Sequence, residues 1–447
     1  MPRLLRCLPA LCLAGLLTLL PIRATNPLIL DQFTADPTAR VFAGRVYLYP
    51  SHDIPAPPGR GRPGWFCMED YHAFSSENLT DWTDHGVIVR QTGVPWVDAT
   101  TYSLWAPDCV AKDGRYYFFF PALAKAGGFR IGVATADHPA GPFAPEPQPI
   151  AGVAGIDPCV LLDRDGRAYL FFSSKKIFVA PLSADLRHLA APPQMIDHLP
   201  ATGLLEGPFV FMRHGRYYLT YPHVEHTIER LEYAIGEHPL GPYRPAGVIL
   251  DESADGCWTV HHSIVEYQGE WYLFYHDKDL SPDFDKHRSV RADALYFNAD
   301  GTIRKVVPTL RGVGAVTATS LLQIDRYSAK RADATVAALD PARRQDGWSV
   351  ALPRAGSWVR FDRVDFGRGG LKVVTVRARG APGGRLELRL DRADGPAIAQ
   401  VEIDSAATQG WALLHTAVHA APTGLHDLIV TQSGTARVEV DWVRFAE

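Results

Sequence analysis

The chain has no basic cluster. Its 45 Lys and Arg are outnumbered by 49 Asp and Glu, the formal net charge is −4, and no segment concentrates positive charge. That argues against a nucleic-acid partner, which needs a cationic face against phosphate. Cysteine is scarce, six in 447 residues, and no Cys-x-x-Cys pair occurs, so a cysteine zinc site is not expected. Cys7 and Cys12 fall in the N-terminal segment, leaving Cys67, Cys109, Cys159 and Cys257 with three possible disulfide pairings. Long apolar runs are missing too. One run, about Leu8 to Leu20, follows Arg3 and Arg6 and gives way to polar chain near Thr25. It is too short to cross a bilayer and reads as a secretory leader cut near Ala24. The expectation is a secreted or periplasmic protein with no membrane attachment after cleavage. Helical periodicity is rare as well, which excludes an α or α/β class.

What is abundant is strand and turn. One phrase recurs five times: Ala43-Gly44-Arg45-Val46-Tyr47, Asp113-Gly114-Arg115-Tyr116-Tyr117, Asp165-Gly166-Arg167-Ala168-Tyr169, His214-Gly215-Arg216-Tyr217-Tyr218 and Gln268-Gly269-Glu270-Trp271-Tyr272. Each reads as a tight turn leading into an aromatic-rich strand. The glycines are 70, 52, 49 and 54 residues apart. A period near 50 in an all-β chain predicts propeller blades, here five. Pro139-Ala140-Gly141-Pro142-Phe143 and Pro239-Leu240-Gly241-Pro242-Tyr243 repeat each other 100 residues apart, which supports the same count. Beyond about Leu310 the phrase stops. Short alternating strands from Trp358 to Phe445 then predict a β-sandwich of jelly-roll type. The expected domains are a leader over 1–24, a propeller over 25–318 and a sandwich over 319–447.

A polar residue precedes each glycine, mostly by eight or nine places: Asp36, Asp108, Asp157, Glu206 and His261-His262, the offset being shorter in the second and fifth copies. One repeated offset would bring these residues to one end of the central channel. Carboxyls that converge raise one another's pKa, so one can stay protonated as a general acid while another stays ionised as a base. Cleavage of a glycosidic bond needs that pair. The strongest candidates are Asp36, Asp157 and Glu206. The repeat alone does not say which is acid and which is base.

Ala35-Asp36-Pro37, Ile156-Asp157-Pro158 and Glu206-Gly207-Pro208, with Trp105-Ala106-Pro107-Asp108 between the first two, resemble glycoside hydrolases of family 43 over about residues 26–315. The resemblance implies a five-bladed propeller, an inverting mechanism, Asp36 as base, Glu206 as acid and Asp157 as the group that tunes and orients the acid. It further implies substrate contacts from Trp105, Asp108 and Arg288. His261 resembles the family's central-channel histidine, which implies one calcium ion there, mostly water-bound because hard cations prefer oxygen. Gly356-Ser357-Trp358-Val359-Arg360-Phe361, Gly410-Trp411 and Val440-Asp441-Trp442-Val443-Arg444-Phe445 resemble a family 6 carbohydrate-binding module. Trp348 and Trp411 would be its sugar clamp, although Glu439 stands where that family has Asn. The implied activity is exo-acting removal of terminal sugars from plant polysaccharide side chains, as an α-L-arabinofuranosidase or β-D-xylosidase. The alternatives are an exo-β-galactosidase of the same family and a propeller that binds sugar without turnover. The partner in each case is an oligo- or polysaccharide.

Overall fold

The computed structural model describes residues 25–343 and 346–447. The predicted leader, residues 1–24, lies outside them. Among the described residues no helix is long and apolar enough to cross a membrane.

Five antiparallel sheets follow one another along the first part of the chain. Blade 1 holds β1 (Phe33–Phe42), β2 (Arg45–Asp53), β3 (Asp70–Ser76) and β4 (Thr83–Arg90). Blade 2 holds β5 (Asp108–Lys112), β6 (Arg115–Leu123), β7 (Phe129–Ala136) and β8 (Ala144–Pro145). Blade 3 holds β9 (Ile156–Leu162), β10 (Ala168–Ser173), β11 (Ile177–Leu182) and β12 (Gln194–Met195). Blade 4 holds β13 (Phe209–Arg213), β14 (Arg216–Val224), β15 (Glu229–Gly236) and β16 (Tyr243–Leu250), and blade 5 holds β17 (His262–Tyr267), β18 (Glu270–Asp277) and β19 (Ser289–Leu295). The innermost strands touch in cyclic order: β1 meets β5, β5 meets β9, β9 meets β13, β13 meets β17, and β17 returns to β1. The sheets therefore form a closed ring, a five-bladed propeller.

The recurrent phrase explains both turn and core. In blades 1, 2, 4 and 5 it makes a two-residue hairpin with positive φ at both positions, as at Asp113 (51°) and Gly114 (76°). That is the type I′ pattern, whose twist matches the flanking strands. Blade 3 uses five residues, 163–167, instead. The strand after the turn is apolar on both faces because each blade is covered by two neighbours. Tyr47 and Tyr49 pack with Phe118 and Phe120 of blade 2, while Val46 and Leu48 pack with Tyr272 and Phe274 of blade 5. Phe119 in turn joins Leu170 of blade 3.

The ring is closed by residues ahead of β1. Leu28 N–H donates to the Val290 carbonyl at 2.8 Å, and the Asn26 side chain exchanges hydrogen bonds with the Ala292 backbone at 3.0 and 2.9 Å. This segment runs beside β19, where blade 5 lacks a fourth strand.

The C-terminal part is a sandwich of two six-stranded sheets around a core that includes Leu352, Phe361, Val376, Leu388, Val430 and Phe445. Its first strand, Val316–Thr317, pairs with Val364–Asp365. Arg311 ties the connecting segment down, donating to the Asp362 carbonyl at 3.0 Å.

Cys67, Cys109, Cys159 and Cys257 are all free and buried, so none of the three possible disulfide pairings forms. Burial pushes their thiols up, that of Cys67 to about 11. Cys159 Sγ instead accepts the Val210 N–H at 3.3 Å, linking two innermost strands.

Candidate active site

One local device presents two of the three acids, and the third precedes a glycine at positive φ. The pairing of β1 with β2 shifts between Ala35 and Thr38, and Asp36 sits in that bulge at φ 45°. The pairing of β9 with β10 shifts between Phe171 and Ser173, and Asp157 sits there at φ 55°. Glu206 precedes Gly207, at φ 53°. A bulge at a strand start re-aims a side chain, and non-glycine residues held at positive φ carry about 1–3 kcal/mol of strain each. The proline after each bulge needs no ladder donor.

The three carboxyls line one cavity of about 190 Å³ at the channel mouth, together with Trp105, Glu229, Thr259, His261 and Arg288. Trp65, Phe66, Trp258 and Met68 form more of its wall. Trp65 lies 5.3 Å from Phe66 and 6.5 Å from Trp258, and Phe66 lies 6.0 Å from Trp105, ring centre to ring centre. The Lys286 ammonium is within 6 Å of the Trp65, Phe66 and Trp258 rings, at 5.9, 5.3 and 5.5 Å. The cavity is smaller than the roughly 300–1,000 Å³ of drug-sized ligand sites and suits one sugar ring against an aromatic wall.

Charge is divided unequally among the acids. Burial pushes Asp36 up, but Arg288 and the smaller contributions of its other polar neighbours together outweigh burial and hold the carboxyl below its usual range. Arg288 Nη1 donates to Asp36 Oδ1 at 2.7 Å and Nη2 to Oδ2 at 3.3 Å. The guanidinium is fixed in turn by Asp53, which accepts from its Nε and Nη2 at 3.0 Å each and from its backbone N–H at 2.9 Å. His276 accepts the Asp36 N–H at Nδ1 (3.0 Å) and so presents its Nε2–H to Thr259. Burial and Arg288 push that ring down to about 3, so it stays neutral beside the ionised carboxylate.

Glu206 is in the opposite state. Burial and the neighbouring Glu229 push it well above the usual range, and the two side chains hydrogen-bond to each other. Two carboxyls can do so only when one carries a proton. Glu229 Oε2 accepts the Val260 N–H at 2.8 Å, while its buried Oε1 has no other donor. Burial takes Glu229 itself up to about 7. Asp157 is also raised to about 7, by burial first, with Glu206 adding to it and His261 opposing. Asp157 Oδ2 accepts from the Gly207 N–H at 3.0 Å and the Ser173 hydroxyl at 2.9 Å. It therefore holds the peptide that follows Glu206.

The other sequence candidates divide. Trp105, Arg288 and His261 lie on the cavity wall. Asp108 does not. It is fully buried and saturated: Arg40 Nη2 bridges both its oxygens at 2.8 and 2.7 Å, and the Cys109 and Val160 N–H groups donate at 2.7 and 2.6 Å. Its offset from the glycine is six, not eight or nine, which places it lower in the channel, where it ties blades 1, 2 and 3 together. It is a structural anchor and not a sugar contact.

His261 shares the cavity wall with Asp36, Asp157, Glu206 and Glu229. The single His/Cys/Asp/Glu cluster close enough to hold an ion, among the described residues, lies elsewhere. His262 beside it is buried and kept neutral, its Nε2 paired with the Thr220 hydroxyl at 2.5 Å. A single imidazole is a poor direct ligand for calcium, so an ion at His261 would be held mostly through water.

In the sandwich the Arg377 and Arg379 guanidiniums lie over the Trp411 ring, at 5.4 and 4.8 Å, and Arg379 is paired with Glu439. The charges therefore occupy an aromatic face that a sugar would need. Trp348 is 39% exposed at the start of Trp348–Leu352, and no ring contact joins it to Trp411 among the described residues.

Sequence reasoning missed Glu229 and the loop aromatics, and it ranks Asp53 only as a weak pocket candidate that reads by default as loop. Glu229 opens the third strand of its blade, where the glycine offset gives no information.

Comparison with known proteins follows the same division of the chain. The profile of glycosyl hydrolases family 43 matches residues 24–303, and that of carbohydrate binding module family 6 matches residues 329–447. A xylosidase/arabinosidase of Humicola insolens is 39% identical over 326 residues, covering 62% of this chain and 98% of its own length. A β-xylosidase/α-arabinofuranosidase from a compost metagenome, solved with xylotriose in a calcium-free form, is 38% identical with a TM-score of 0.58. It covers 64% of this chain and 98% of its own. An arabinoxylan arabinofuranohydrolase of Bacillus subtilis is 25% identical with a TM-score of 0.56, and it covers 95% of this chain and 98% of its own.

Proposed function

The chain belongs to glycosyl hydrolase family 43, and from that footing we propose that it is an inverting exo-glycosidase that trims both α-L-arabinofuranosyl and β-D-xylosyl ends from xylan-derived saccharides. The relatives that carry both activities in their names support this reading. So does a cavity sized for one ring. The observation that carries it is the opposed protonation of Asp36 and Glu206 in that cavity.

In the proposed reaction Glu206 gives its proton to the glycosidic oxygen as the bond to the anomeric carbon breaks. Asp36 takes a proton from a water that adds to the opposite face of that carbon. The products are a free sugar of inverted configuration and a saccharide shortened by one unit. Asp157 orients Glu206 through the Gly207 peptide, while burial and Glu229 keep the acid's proton in place. Arg288 keeps Asp36 ionised and aimed. The aromatic wall stacks on the sugar and excludes water other than the nucleophile. With the apolar run at Leu8–Leu20, we propose that this takes place after export.

The test is hydrolysis of nitrophenyl α-L-arabinofuranoside, β-D-xyloside and β-D-galactoside, with NMR of the first-formed anomer. Turnover of the first two with inversion is expected. Retention of configuration, or turnover of the galactoside alone, would refute the proposal.

A further inference from the structure

The edge of blade 1 carries a group of ligating side chains that the reaction does not use. Ser51 opposes Tyr71 across β2 and β3, so His52 opposes Asp70. His72 lies two residues further along β3. Strand pleating sends all three to one face. One nitrogen of each ring and one oxygen of Asp70 lie within 4.8 Å of one another. The two rings stand edge to face with centres 4.9 Å apart. No other set of three such side chains comes this close among the described residues.

The supporting contacts resemble those around metal-bound imidazoles. Asp84 accepts the Gly86 N–H at 2.7 Å and the Gln32 amide at 3.0 Å, and both its oxygens lie 3.0 Å from His72 Nδ1. A carboxylate can only accept there, so Nδ1 carries the hydrogen and Nε2 keeps its lone pair. A ligating histidine typically donates its second nitrogen to a carboxylate in this way. His52 Nδ1 lies 2.6 Å from Asp70 Oδ1. Asp70 is almost fully buried, whereas the His52 and His72 side chains are 19% and 15% exposed, which leaves a path from solvent. Arg90 Nη2 lies 3.3 Å from Asp70 Oδ2, but its side chain is half exposed and free to swing away. Gln32 Oε1, at the same edge, is buried without a donor.

We propose that His52, Asp70 and His72 form a binding site for one divalent transition ion of the zinc class, with Asp84 as a positioning residue. Two imidazoles and one carboxylate suit zinc and its neighbours and suit calcium poorly. Bonds of about 2.0–2.2 Å put tetrahedral ligands about 3.4 Å apart, so donors up to 4.8 Å apart would close by about 1.5 Å at most. His52 Nδ1 and Asp70 Oδ1, now 2.6 Å apart, would exchange their hydrogen bond for the ion and separate slightly. His52 also adjoins Asp53 on β2, which faces the other way and fixes Arg288. The ion would therefore stiffen the strand end that supports the base.

The experiment titrates chelator-stripped, full-length protein with zinc chloride and separately with calcium chloride by calorimetry. Metal content after dialysis is measured in parallel. One zinc per chain is expected, weakened at least tenfold in each of His52→Ala and His72→Ala, 10–100-fold in Asp84→Asn, and unchanged in His261→Ala. Circular dichroism melts without metal establish that the variants fold. Zinc anomalous scattering at this edge gives a second readout that does not depend on variants. Absence of binding, binding indifferent to His52 and His72, or binding lost in His261→Ala would overturn the proposal.

Discussion

Arg288 is the residue whose replacement says most about the site. It makes four hydrogen bonds of 2.7–3.3 Å from its side chain to Asp36 and Asp53, both buried. Among the described residues Arg288→Met removes the one cation paired with either acid, and with it the guanidinium that lies 4.5 Å over the Phe66 ring. Breaking a buried ion pair from one side costs about 3–5 kcal/mol, and two carboxylates lose their partner here, so the propeller should lose at least that much at pH 7. The deficit should depend on pH with a definite sign. Asp36 is held below its ordinary value of 3.8, so the stabilisation from Arg288 is fully present above that value and fades as pH falls through the lowered one. In the variant both acids take up protons at higher pH. The gap between variant and wild type should therefore be widest near neutrality and narrow towards pH 4. The acid limb of kcat/KM should move up by at least one pH unit, because the base no longer ionises easily. Arg288→Lys should recover part of that limb, since it returns charge without the planar fork. Urea melts at pH 7 and 4.5 with pH–rate profiles measure all of this. A deficit under about 1 kcal/mol, equal deficits at the two pH values, or an unmoved acid limb would refute the reasoning.

Two further outcomes are expected. Glu206→Gln should lower kcat by roughly 10²–10⁴-fold, the usual share of a general acid, while the melt is retained; full activity would remove Glu206 from the reaction. Glu229→Gln removes a like-charged neighbour that holds Glu206 high, so the alkaline limb of the rate profile should move down while the acid limb stays put; a limb that moves up would contradict the shared-proton arrangement.

The repeat made the propeller readable, and it located the three acids because acid, proline and turn recur at nearly fixed spacing in their blades. Its failure at Asp108 has a physical cause: an offset of six lands below the bulge level, where an acid meets Arg40 and not solvent. Glu229 was invisible, and Asp53 only weakly marked, because they reach the site from the third and second strands of their blades, where the offset from the glycine carries no information. Trp65, Phe66 and Trp258 come from irregular loops, and no local periodicity marks where a loop folds back. The cysteine count left three disulfide pairings open, and the fold leaves all four thiols buried and unpaired, spread over separate parts of the propeller.

The stretch from Asn26 to Leu28 that runs beside β19 sets the order in which the molecule can assemble. Its partners lie more than 260 residues later, so a segment synthesised ahead of blade 1 waits for the last blade. Blades 1 to 4 can form hairpin by hairpin as they emerge, but the circle is completed only by a contact of very long sequence separation, which makes the closing step slow. Until then the walls of the catalytic cavity contributed by blades 1 and 5 belong to two unjoined ends, and the enzyme gains its site in the same event that completes its topology.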